Sequence, residues 1–462
     1  MQRLNVNDIV KATGGRLICG TEDFEISEIT TDSRKAGANM LFVPIAGEKN
    51  DGHDFIGSAF EKGADVVITH RDIPSVSGKN IIRVADTRIA LGDIAAYYKE
   101  KYKLPTVAIT GSVGKTTTKD MISAVLAMKY NTLKTQGNYN NDIGLPLTVF
   151  HIGEKHEMAV LEMGMSHKGE IRYLAKIAKP DIAVITNIGM SHIENLGSQE
   201  NIYLAKMEVC DDFDENNLLI LNGDDKFLSR KTDKCKCLTY GIENKDCDIV
   251  AENIENMGID GCRFTAVING KSEGFYLRVP GVHNIHNALA AILVGMHYDV
   301  DIKDIKDGIR EFQPTNMRME IRNTGGITVI DDCYNASPDS IRAALKVLGD
   351  LSAKRKIAVL GDVLEMGGFA EKELYELGTE IDRVDTLVTV GNVAKFIAKG
   401  AVFAGLKNVH SFKTVEEAID FLMEIVEDGD AVLVKASRGM HFEQVTNVLK
   451  TEFGDDEIVT AN

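Results

Sequence analysis

The chain has 462 residues, 44% of them hydrophobic and 26% charged, which is too long for one core and predicts about three domains of ordinary globular composition. A formal net charge of -17 excludes a general nucleic-acid or anionic-membrane binder, because phosphate backbones require a basic face. Seven scattered cysteines without a CxxC pair, a polar start (MQRLNVNDIV) and no apolar run of roughly 20 residues predict a cytoplasmic protein with reduced thiols, no leader and no membrane span.

In chain order, LFVPIAG (41–47), ADVVITH (64–70) and IIRVAD (81–86) read as short strands, with a helix from Phe55 to Lys62 capped by Asp54. KYKLP (101–105) reads as a connector, since Pro105 ends any preceding helix. A second unit opens at TVAIT (106–110) and continues through EMAVLEM (157–163), DIAVITNI (181–188) and NLLILN (217–222). Continuous apolar strands between helical stretches predict a parallel sheet covered on both faces. The pattern then changes to alternating strands (KCKCLTYG, CRFTAVI, GFYLRVP) and a helix through NALAAILVGMH (287–297). Cys235 and Cys237 fall in the first of these and read as strand residues. Pro314 opens a third unit with strands at 326–332, 355–362, 385–391 and 430–437 and a helix at 339–351. The expected fold class is therefore α/β, with domains at 1–103, 104–313 and 314–462.

The segment AITGSVGKTTTKDMI (108–122) passes from an apolar strand through a Gly-rich turn into a helix. Backbone N–H groups of such a turn and the positive end of the helix wrap a phosphate chain. Gly111, Ser112, Gly114, Lys115, Thr116 and Thr117 form the expected cradle. Lys115 reaches the outer phosphates, and Thr116 offers a hydroxyl to Mg²⁺. Gly111 and Gly114 enclose two residues where the Walker pattern encloses four. Glu162, His192 and Lys206 fall at or beyond the carboxyl ends of neighbouring strands, where open α/β sheets bind ligands. Each taken alone has an ordinary surface or packing explanation. Their shared placement beside one phosphate loop favours function.

These motifs resemble those of the Mur ligases of peptidoglycan precursor synthesis, and the resemblance runs over essentially the whole chain. TGSVGKTTT (110–118) is similar to that family's shortened phosphate loop. NYNNDIGLP (138–146), EMGMSHKGEI (162–171), TNIGMSHIENLGS (186–198), AKMEV (205–209) and GVHNIHN (281–287) follow in the family's order. RME (318–320), DDCYNASPDS (331–340), VLGDVLEMG (359–367) and KASRG (435–439) complete it.

The resemblance implies three domains: a uridine-binding N-terminal domain, a central ATPase domain and a Rossmann-like C-terminal domain. It implies ATP-dependent amide formation through an acyl phosphate, with Mg²⁺ and without nucleic acid or membrane, by a monomer. TDSRKAGANMLFVPIAGEKNDGHDF (31–55), the DDCYNASPDS segment and the lack of an Asp-Asn-Pro-Arg motif point to D-alanyl-D-alanine as the group added to a UDP-N-acetylmuramoyl-tripeptide. Two alternatives stand beside this: another Mur-type amide ligase, and a non-catalytic ATP-binding regulator.

By resemblance Thr116 and Glu162 hold one Mg²⁺, His192 helps hold a second, and Lys206 becomes a carbamate that binds metal. Asn287 reads adenine, Asp332 holds ribose, and Arg318 approaches the phosphates. Ser33 and Arg34 contact the UDP moiety, and Asn335 and Ser337 lie near the dipeptide. Asn141 represents the stretch Asn140-Asn141-Asp142, within which the sequence does not decide the ligand contact. Because Lys115 and the pair Arg318 and Asp332 belong to different units, closure by bending near Gln313-Pro314 is expected.

Overall fold

The computed structural model describes residues 3–47, 49–229, 234–315 and 317–454. Three main sheets succeed one another along the chain. The first has five strands in the order Arg16–Cys19, Asn80–Arg83, Val66–Thr69, Met40–Phe42, Glu28–Thr30, all parallel except the first pair. The helix expected at Phe55–Lys62 is α-helical over Ile56–Glu61 and is preceded by a 3-10 turn at Gly52–Phe55. Asp51 caps that turn through the His53 N–H, and Asp54 instead accepts from Arg71 at 2.8 Å. The cap therefore lies three residues earlier than expected, because the chain tightens before it becomes α-helical.

The second sheet has nine strands, with Thr106–Thr110 between Ile182–Ile185 and Met158–Glu162 and parallel to both. Residues along these strands alternate between two cores. Val107, Ile109, Val160, Val184 and Ile220 face one side, and Ala108, Leu161, Ile185 and Leu221 face the other. The phosphate-loop helix Lys115–Ala127 and the long helix His283–His297 cover the first side together. A strand buried on both faces shows no polar alternation, which is why these were legible as apolar runs. Cys237 lies in the strand Lys236–Gly241, as expected, while Cys235 is a bend residue just before it. From Ile249 to Leu277 three strands pair antiparallel at the sheet's edge.

The third sheet runs Glu320–Thr324, Ile327–Asp331, Asp430–Lys435, Arg355–Gly361, Thr386–Val390, Asn408–Phe412. It is parallel apart from its first hairpin. Its edge strands, Glu320–Thr324 and Asn408–Phe412, carry polar and partly exposed side chains and lack the apolar runs of the strands between them. The carboxyl ends of the second and third sheets face each other, and the central cavity lies between them.

Candidate active site

The phosphate-loop helix begins at Lys115 behind Gly114, which sits at φ 84° and supplies no side-chain cap. Its first N–H groups therefore have no side-chain acceptor and point toward the cavity end. Gly111 (φ 148°) packs against Thr186 so closely that a Cβ would fall 1.8 Å from Thr186 Oγ1. The loop after strand Ile182–Ile185 braces the turn. Val113 N donates to Asn187 Oδ1 at 2.9 Å, Asn187 Nδ2 and Thr186 Oγ1 donate to Val113 O at 2.9 and 2.6 Å, and Gly189 N donates to Ser112 Oγ at 2.9 Å. Lys115 Nζ folds back onto Gly111 O (2.8 Å) and Ser112 O (3.3 Å). Burial pulls its pKa below the usual lysine value, against the opposing charge of Glu162.

Glu162 ends its strand buried, at 2% exposure. One carboxylate oxygen accepts from Asn140 Nδ2 at 2.7 Å, and the other, Oε2, is buried without a hydrogen-bond partner. An orphaned anionic oxygen in a closed site calls for a cation. Among the described residues no three His, Cys, Asp or Glu side chains gather as a ready-made metal cage. The nearby donors are one carboxylate, the Thr116 hydroxyl and the His192 imidazole. So sparse a set fits Mg²⁺, which usually keeps water and phosphate oxygens among its ligands.

Lys206 is not among the residues lining the cavity surface. It is 2% exposed and forms no ion pair among the described residues. Burial, aided by the nearby Lys115 charge, pushes its pKa well below the lysine range. That shift favours the uncharged amine. His192, at φ 62°, lines the cavity, with Nδ1 2.5 Å from Glu365 Oε2.

Across the cavity, Arg318 lies between two residues at positive φ, Met317 (59°) and Met319 (53°). Its guanidinium is 4.0 Å from the Tyr334 ring centroid and donates to Thr116 Oγ1 at 3.2 Å. This contact joins the second and third units directly, and Thr315 beside Pro314 adds another by donating to Asp120 Oδ2 at 2.7 Å. These two hydrogen bonds bring the second and third units into direct contact. Asp332 accepts from buried Lys435 at 2.5 Å and from Met319 N at 3.1 Å.

Asn287 also lines the cavity, but its amide is engaged, accepting from Thr118 Oγ1 at 2.8 Å and donating to Asn284 Oδ1 at 2.9 Å. It ties the long helix to the phosphate-loop helix. Asn140, Asn141 and Asp142 all line the cavity, each with its own partner. Asn140 holds Glu162, Asn141 Oδ1 accepts from Gly144 N at 2.8 Å, and Asp142 pairs with Arg88 at 2.8 Å. Asn335 and Ser337 line the far wall, where Ser337 caps helix Pro338–Asp350 through Ser340 N.

Gly114, Lys115, Thr116, Thr117, Ser112, Glu162, His192, Asn287, Arg318, Asp332, Asn335 and Ser337 thus converge on one cavity of about 790 Å³. Ser33 and Arg34 do not line it. Arg34 is exposed on the first sheet's unit and forked onto Asp32 through two 2.9 Å bonds. Sequence reasoning missed Lys435, Tyr334, His283 and Glu365 as individual site residues. Lys435 could have been found as a lysine closing an apolar strand. Burial, first, lowers the pKa of His283 to about 4.

A shortened phosphate loop on a parallel sheet, facing a second α/β sheet that contributes cations, defines a two-sided nucleotide-dependent ligase. Family models match in three blocks: the Mur ligase family catalytic domain over residues 25–99, the Mur ligase middle domain over 109–295, and the Mur ligase glutamate ligase domain over 317–438. The chain belongs to the Mur ligase family. A Bacillus subtilis protein named UDP-N-acetylmuramoyl-tripeptide–D-alanyl-D-alanine ligase is 40% identical over 93% of this chain and 94% of its own length. A crystal structure of MurF from Acinetobacter baumannii superposes with a TM-score of 0.91 at 32% identity, covering 98% of this chain and 99% of that one. MurF ligase from Thermotoga maritima, solved in complex with ADP, gives 0.83 at 28% identity over 92% and 97%.

Proposed function

We propose that this chain is the ligase that joins D-alanyl-D-alanine to UDP-N-acetylmuramoyl-tripeptide, using ATP and giving the UDP-N-acetylmuramoyl-pentapeptide. The observation that carries the reading is similarity over more than nine tenths of this chain and of relatives bearing that name. The terminal carboxylate of the tripeptide attacks the γ-phosphorus, the bond to the bridging oxygen breaks, and ADP leaves. The dipeptide amine then attacks the acyl carbon, loses a proton, and expels phosphate. Direct amination of a carboxylate would have to expel oxide, so the phosphoryl group supplies the leaving group. The chain's task is chiefly to position the reactants and neutralise charge.

In this reading Lys115 and Arg318 neutralise phosphate charge from opposite walls, and the loop Gly111–Gly114 wraps the chain of phosphates with Ser112 and Thr117 beside it. Asn287 sets the adenine pocket, and Asp332, oriented by Lys435, holds ribose. Thr116 and Glu162 would hold one Mg²⁺, and His192 with carbamylated Lys206 a second; bound there, the ions screen the charge that gathers on the phosphates. In its neutral form the Lys206 amine adds CO₂ at carbon and releases a proton, which would turn an uncharged amine into an anionic oxygen ligand. Residues 1–103 take the UDP moiety through Ser33 and Arg34, residues 104–313 take ATP, and residues 314–462 present the dipeptide near Asn335 and Ser337. Asn141 lies on the tripeptide side.

A cytoplasmic monomer is the working form proposed here; no helix among the described residues is long and apolar enough to cross a membrane, and the seven cysteines are free thiols. The test is phosphate release and product mass with purified enzyme, ATP and UDP-tripeptide bearing lysine or diaminopimelate, offered D-alanyl-D-alanine or free amino acids. Turnover with a free amino acid would reassign the chain within the family. ATP binding without product under every combination would make it a regulator.

A further inference from the structure

The loop that follows strand Arg355–Gly361 touches the second unit at the start of the short helix Ile193–Leu196. Glu365 Oε2 lies 2.5 Å from His192 Nδ1, and Glu365 O accepts from Glu194 N at 3.2 Å. Both Glu365 and His192 sit at φ 62°, a left-handed conformation that is costly for β-carbon-bearing residues and persists only where surroundings enforce it. Two residues 173 positions apart in sequence hold that conformation and meet each other. Gly367, two residues on at φ 50°, packs on the same short helix, where a Cβ would meet Glu194 Cγ at 3.0 Å. Side chain, backbone and packing thus converge on His192–Leu196.

We infer that Glu365 is a positioning residue for amide formation: it latches the third unit onto the second and fixes the His192 ring through Nδ1, so that Nε2 is presented to the cavity. A histidine's ring orientation and tautomer are set by whatever its other nitrogen touches. The carboxylate comes from the opposite unit, so His192 takes its working orientation only when the units are together. Arg318 reaching Thr116 and Glu365 reaching His192 are then two ends of one closure, one on the nucleotide side and one on the metal side. This inference rests on the role given above to His192.

The reach of the side chain is the test. Glu365→Gln keeps both length and an acceptor oxygen, Glu365→Asp keeps charge but not reach, and Glu365→Ala keeps neither. We expect Gln to turn over within about threefold of the parent, while Asp and Ala lose about tenfold in kcat with KM for ATP and UDP-tripeptide changed by less than about twofold. Deuterium exchange of the unliganded protein over residues 190–197 should accelerate in Asp and Ala and not in Gln, at unchanged melting temperature. Parent-like kcat and exchange in Ala would overturn the latch, and a Gln variant as impaired as Ala would overturn positioning in favour of charge. A parent enzyme without ligase activity would instead sink the function itself, while the exchange comparison would still judge the latch.

Discussion

Replacing Lys115 with alanine tests the phosphate site most directly. Its Nζ is held 2.8 Å from Gly111 O, at the floor of the turn that the nucleotide is expected to enter. A unit charge about 4 Å from phosphate oxygen, at an effective permittivity of about 20, interacts by roughly 4 kcal/mol. Only the part that grows as charge redistributes toward the leaving ADP contributes to rate. Losing one preorganised donor at such a point costs about 3–4 kcal/mol in barrier, or about 10²–10³-fold in kcat. Folding should suffer little. Burial lowers the lysine's pKa, so the charged form gains no net electrostatic stabilisation there, and its two bonds to loop carbonyls are worth about 1–3 kcal/mol together. The assay is ADP release at saturating D-alanyl-D-alanine and UDP-tripeptide, with a melting curve alongside. A kcat within threefold of the parent would remove Lys115 from phosphoryl transfer. A melting transition lowered by many degrees would transfer the loss from chemistry to folding.

Lys206→Ala should be inactive and partly restored by acetate, and the parent should lose turnover in CO₂-depleted buffer and regain it with bicarbonate; indifference to both would leave the lysine unmodified. Tyr334→Ala should lower kcat by about tenfold, because the ring that carries the Arg318 guanidinium at 4.0 Å is gone, while Tyr334→Phe keeps the face and should retain most activity. Equal losses in both variants would move the role from the ring face to the hydroxyl. His283 has its pKa lowered from 6.5 to about 4, so the unfolded chain binds the proton more readily. Stability should therefore fall as pH drops from about 6.5 toward 4, by up to about 3 kcal/mol, and His283→Gln should flatten that part of a denaturant-midpoint profile.

The buried strands were legible because both of their faces are apolar: Val107 and Ile109 pack on one core and Ala108 on the other, which leaves an unbroken hydrophobic run. Glu320–Thr324 and Asn408–Phe412 were not, because charged and polar residues interrupt both and their composition is that of loops. The phosphate loop declared itself through strand, glycines and helix in series. The braces around it did not, because Asn187 and Asn284 look like any turn asparagine until the fold sets them against Val113 and Asn287. Asp54 misled for a related reason: a capping residue is recognised by where the helix begins, and a 3-10 turn moved that point back to Asp51. Glu365 carried no local signal, since its partner is 173 residues earlier and belongs to another sheet.

The charge distribution joins composition to function. The chain as a whole carries -17, yet the cavity walls present six cationic side chains, Arg88, Lys115, Lys168, Arg318, Lys435 and Arg438, against four carboxylates. Three of those carboxylates have visible tasks: Asp142 balances Arg88, Asp332 is anchored by Lys435, and Glu162 keeps one oxygen unspent. A polyanionic nucleotide and a nucleotide-linked substrate entering from an acidic surface therefore meet a local positive field only inside the cleft. Because Arg318 and Lys435 belong to the third unit and Lys115 to the second, that field is strongest when the units are together. Binding of the phosphates and closure of the units are thus favoured by the same charges, and an ATP-bound enzyme is biased toward the arrangement in which the acyl phosphate is shielded from water.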